Sequence, residues 1–134
     1  MSALTRFLYP VPAPRSIGQI VLWWEKRRLA YNLVVGATGS LTLAVIALFS
    51  LLPPNPHLMG PPPLFVLAYA FVANVCYTLG WMLEGAAHKV WHDGVQPPGP
   101  VLFRQGLIFS VGLTLLPIGV AVVGWVARTI SYFL

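Results

Sequence analysis

Glu84, His88 and His92 recur at intervals of four in the stretch EGAAHKVWHD, residues 84–93. On a helix, side chains four apart share a face, and a carboxylate with two imidazoles is a donor set that metals use. The geometry permits less than the residue types suggest. The three positions span about 80° of arc but about 12 Å of helix height, so one ion cannot hold all of them. His88 and His92 form the i, i+4 pair found on zinc-binding helices, but HKVWH has Lys89 where the zinc-protease pattern has its glutamate, so the general base is missing. Two imidazoles alone are a weak site, because structural zinc takes four protein ligands. His88 and His92 are therefore minor metal candidates, and no motif indicates a cofactor. The stretch reads first as the polar face of a helix at a membrane edge, with Trp91 toward lipid and Lys89 toward headgroups.

Composition dictates what carries that helix. Apolar residues make up 57% of the 134 residues and charged residues 8%. Soluble domains carry about a quarter charged residues, so this surface is matched to lipid. The net charge of +5 sits at the ends of apolar runs, which suits anionic headgroups and not nucleic acid. The single cysteine, Cys76, excludes an intrachain disulfide and any multi-cysteine metal motif.

A spanning helix needs about 20 mostly apolar residues. Residues 29–52, 64–83 and 101–127 qualify, and the second is expected to run on to about 92. The proline clusters PPNPHLMGPPP and GVQPPGP separate them, with Pro63 and Pro100 suited to a first helical turn. The expected fold class is an all-α integral membrane protein, a single domain over 1–134. Before the first span, SIGQIVLWWEKRR begins with a capping box, Ser16 and Gln19, and then places Ile17, Ile20, Val21 and Trp24 on one stripe. That pattern predicts an amphipathic interfacial helix over 16–28, with a bend around 25–32. Trp23, Trp24, Lys26, Arg27 and Arg28 would then contact headgroups, and Trp81, Trp91 and Trp125 would sit at the interfaces.

Seven of the eight cations precede the first span or lie between the second and third, and only Arg128 dissents. By the positive-inside rule the N-terminus is cytoplasmic and the C-terminus outside, as in a bacterial inner membrane. Residues 1–15 lack the uninterrupted apolar core of a signal peptide, so the N-terminus is expected to be retained.

No ionisable residue lies centrally in any span, which argues against a proton-coupled path or a haem gripped within the bilayer. Small residues are periodic: Gly36, Ser40 and Ala44, then Cys76 and Gly80, then Gly106, Ser110 and Thr114. With Asn74, whose amide seeks a partner among Ser40, Thr42, Ser110 or Thr114, they form the candidate packing faces for the bundle or for a partner chain's helices. The functional expectation is a non-catalytic accessory or structural subunit of a larger membrane complex, such as a respiratory or photosynthetic assembly. Its partners are anionic lipids and other transmembrane chains. Two alternatives stand beside it. One is an oligomeric channel or transporter lined by Asn74, Ser110, Thr114 and Pro117. The other is an interfacial metalloprotein or enzyme using Glu84, His88, His92 and Asp93.

Overall fold

A computed structural model describes residues 2–10, 16–56, 60–91 and 98–134. Among them the chain forms four helices and no strand: α1 (Ala3–Leu8), α2 (Ile17–Leu51), α3 (Pro63–Val90) and α4 (Gly99–Phe133). The last three are each long and apolar enough to cross a membrane.

Local chemistry sets their ends. Ser16 accepts from the Gln19 backbone N–H at 3.4 Å while the Gln19 side chain accepts from the Ser16 backbone N–H at 3.0 Å, so the capping box forms. Pro63 occupies the first turn of α3 and Pro100 that of α4, where a missing N–H costs nothing. Residues 17–28 do not form an element of their own: the helix continues without interruption from Ile17 to Leu51, and no break falls at 25–32. Nothing in EKRRLAYN stops a helix, since it holds neither glycine nor proline. The resulting rod is about 52 Å long, beyond the roughly 30 Å of a hydrocarbon core.

The helices α2 and α4 run parallel with α3 antiparallel to both, as the contacts Trp24–Phe103, Tyr31–Ser110 and Phe49–Trp125 on one side and Trp24–Glu84 and Asn32–Asn74 on the other require. Ile20, Trp24, Tyr31 and Val35 of α2, Tyr77 of α3 and Phe103 of α4 form the buried core. All lie toward the end where α2 and α4 begin, here called the basic end. At the far end the first residues of α3, Leu64 to Ala68, are exposed all round. α4 runs through Pro117, and the turn before it receives help from α2. There the Thr42 hydroxyl donates to the Thr114 carbonyl at 2.9 Å, a bond between helices one residue past Leu113, whose carbonyl loses its usual donor at Pro117.

Arg128, the dissenting cation, has a local role. Its Nη2 donates to the Phe49 carbonyl at 2.7 Å, in the last turn of α2, where carbonyls lack intrahelical partners and the helix dipole favours a cation. Trp125 Nε1 donates to the Pro53 carbonyl at 3.0 Å just beyond. Arg128→Ala is expected to fray this end at a cost of about 1 kcal/mol. Hydrogen exchange should rise at amides near residue 50 and stay unchanged near residue 24.

Candidate functional site

The most constrained side chains meet at the basic end around Trp24. On α3, Tyr77, Gly80 and Glu84 lie three and four residues apart and so share one face. Trp24 is pressed onto that face, 2% exposed. Its indole N–H donates to Glu84 Oε2 at 2.6 Å, and its carbonyl accepts from the Tyr77 hydroxyl at 2.5 Å. Phe103 and Tyr77 meet the indole edge-on, with centroids at 6.0 and 5.2 Å, the arrangement that ring quadrupoles favour.

Two glycines make the fit possible. A methyl on Gly80 would stand 2.8 Å from Trp24 Cη2, and a methyl on Gly99 would stand 2.5 Å from the Glu84 carboxyl carbon. Both are well inside van der Waals contact. Glu84, expected on a wet face, is instead 1% exposed, closed in by Trp24 on one side and the start of α4 on the other. A carboxylate can be held in such a place only by donors, because burying it unpaired is very costly.

Polar pairs continue from this cluster along the bundle. Arg28 donates to Glu25 at 2.7 Å and to Thr78 at 3.1 Å, and its guanidinium lies 5.2 Å from the Tyr77 ring centroid. Asn32 and Asn74 exchange amide hydrogen bonds at 3.3 and 3.0 Å, and Asn74 also donates to the Ala70 carbonyl. The hydroxyls of Tyr31 and Ser110 are 2.8 Å apart, and those of Tyr69 and Thr114 are 2.5 Å apart. The partner of Asn74 is thus another amide, not a hydroxyl, and the match is good: each carboxamide supplies the donor and acceptor the other lacks.

That reciprocity gives a test. Asn74→Leu strands the Asn32 amide, and the loss should fall at about 0.6–1.7 kcal/mol, the range for interhelical hydrogen bonds in membranes. Adding Asn32→Leu should then cost less than Asn32→Leu alone, because no unpaired amide remains. Thermal unfolding of helicity in detergent, run as a double-mutant cycle, reads the coupling.

The remaining sequence candidates divide. Ser110, Thr114 and Gly80 lie between helices of this chain, whereas Gly36, Ser40, Ala44, Cys76 and Gly106 face outward. Of the rings read as interfacial, Trp24 is buried, Trp23 and Trp81 pack against the core, Trp125 is half-buried on the α2 end, and Trp91 is 64% exposed. Of the cations read as headgroup ligands, Lys26 is exposed, Arg28 is engaged with Glu25 and Thr78, and Arg27 lies between the rings of Trp23 and Phe7 at 3.9 and 4.9 Å. His88 is half-buried in the last turn of α3, while His57, His92, Asp93 and Arg15 lie outside the described residues. Among the described residues no three His, Cys, Asp or Glu side chains are placed to share an ion.

Sequence reasoning missed Gly99, Tyr77 and Phe103. Their signal was faint: a glycine between prolines, and aromatic residues in spans where apolar residues are the rule. No protein-family model, curated protein or solved structure matches the chain.

Proposed function

We propose that this chain is a small, non-catalytic multi-pass membrane protein that serves as an accessory subunit of a larger membrane assembly, with respiratory and photosynthetic complexes as the kind of host. In this reading the N-terminus and the α3–α4 connection are cytoplasmic, the C-terminus is outside, and a bacterial inner membrane is the setting. The observation that carries it is the use made of the polar side chains. Asn32, Asn74, Tyr31, Tyr69, Thr42, Ser110 and Thr114 bond to one another across the helices, so the interior polarity is spent on holding the bundle together. The outward surface is apolar almost throughout, with Phe65, Phe71, Phe109 and Leu116 at 60% exposure or more. Lipid and neighbouring transmembrane helices are the partners such a surface accepts, the small outward stripe Gly36, Ser40 and Ala44 included.

Purification in a mild detergent from the native membrane tests the proposal. Other membrane chains should travel with this one in fixed ratio. A lone chain under conditions that keep neighbouring complexes intact would overturn it.

A further inference from the structure

Residues 7–9 pack onto the starts of α2 and α4. Phe7 of α1 meets Phe103 edge-on at 5.8 Å and lies 4.9 Å from the Arg27 guanidinium, while the Tyr9 ring lies 4.6 Å from that of Arg104. Residues 7–9 thus hold one arginine from α2 and one from α4. Cation–π attraction holds each guanidinium over its ring. A guanidinium, with five N–H donors, suits the oxygens of a phosphate, although Arg27 gives one of its own to the Trp23 carbonyl at 3.4 Å. Arg6, next to Phe7 in the chain, and Lys26, next to Arg27, are both exposed. Opposing charge is slight: of the described carboxylates, Glu25 is ion-paired with Arg28 and Glu84 is buried under Trp24. Exposed apolar side chains continue along the Arg27 face of α2, at Val34 and Leu41, and along the Arg104 face of α4, at Val101 and Ile108.

We infer that the N-terminal segment and the starts of α2 and α4 form a seat for one anionic phospholipid. Arg104 and Arg27 take the headgroup phosphate, and the acyl chains follow the outward faces of α2 and α4. The inference rests on the chain being embedded in a membrane, and it is independent of whether a host complex exists. It differs from general attraction between basic loops and anionic lipid in requiring Tyr9, an uncharged residue.

The test reconstitutes the full chain into mixed phosphatidylcholine–phosphatidylglycerol nanodiscs, extracts it into mild detergent, and counts retained lipids by native mass spectrometry. The chain should keep one phosphatidylglycerol in preference to phosphatidylcholine. Arg104→Gln and Tyr9→Ala should each lower its retention roughly fivefold or more, the size of one surface cation's pull on anionic lipid. Lys89→Gln, in the last turn of α3 and so on a helix that carries neither ring-bound arginine, should leave retention unchanged. Circular dichroism checks that each variant keeps its helices. Equal retention of the two lipids, or equal losses from Lys89→Gln and Arg104→Gln, would reduce the seat to diffuse attraction and overturn the inference. So would full retention in a Tyr9→Ala chain of native helicity. Failure of the accessory-subunit proposal appears separately, as missing protein partners.

Discussion

Trp24→Ala is expected to destabilise the bundle more than any other single truncation, by about 3–5 kcal/mol, the range for deleting a large aromatic side chain from a packed core. Three losses coincide at this position. The cavity would lie among Tyr77, Phe103, Trp23 and Gly80, which belong to three helices and cannot all collapse into it. The edge-on ring contacts vanish. Glu84 loses the indole N–H that reaches it at 2.6 Å, leaving a buried carboxylate with one donor fewer. Trp24→Phe separates these effects by keeping most of the ring and removing only the donor, so its cost should be smaller, about 1–3 kcal/mol. Trp91→Ala is the control. That ring is 64% exposed, and its removal should change stability by less than about 0.5 kcal/mol. Thermal loss of helicity in detergent ranks the three variants. Equal melting temperatures for Trp24→Ala and Trp91→Ala would mean that both rings merely rest against the surrounding amphiphile.

The contrast between those two tryptophans marks how far the sequence could be read. The spans were legible because length and hydropathy depend on composition alone, and their starts because Ser16, Pro63 and Pro100 act through their immediate neighbours. The stripe Ile20–Trp24 was legible as a stripe, yet periodicity says which residues share a face and not what covers it. Here α3 and α4 cover it, because all three helices continue past the length a bilayer needs and meet again at the basic end. There large rings and hydrogen bonds, not small residues, join the helices. This accounts for a core that runs from Ile20 to Val35 on α2 and is absent where Leu64–Ala68 stand exposed. It also explains why the small-residue stripes were a poor guide. The interface is built from Tyr31, Tyr77, Trp24 and Phe103, and glycine enters it most tightly, among the described residues, where a ring or carboxyl presses on the backbone, at Gly80 and Gly99. Glu84 was misread for a related reason: its helical neighbours His88 and Lys89 are polar, but its partner is 60 residues away on α2.

Gly99 supplies the most discriminating experiment on that buried carboxylate. The residue begins α4, is itself buried, and has helical neighbours on only one side, so an alanine there should on propensity alone improve the helix slightly. Sterics predict the reverse, since the added methyl would stand 2.5 Å from the carboxyl carbon of Glu84 and 2.7 Å from its Oε1. A carboxyl end normally yields by rotating about its flexible stem. This one is held by Trp24 Nε1 and enclosed at 1% exposure, so relief requires either breaking that hydrogen bond or moving α4 away from α3. Overpacking of this kind costs about 1–3 kcal/mol, and Gly99→Ala should show a loss in that range. Removing the obstacle should remove the penalty. In a Glu84→Ala background, itself destabilised by the lost carboxyl and the stranded indole N–H, the same Gly99→Ala change should be close to neutral. The cycle should therefore show a coupling energy of about 1–3 kcal/mol of compensating sign, well above the roughly 0.3–0.5 kcal/mol scatter of independent sites. Additive losses would mean that Glu84 does not lie against the start of α4. Trp24, Glu84 and Gly99 would then not form the joint on which the packing of all three long helices depends.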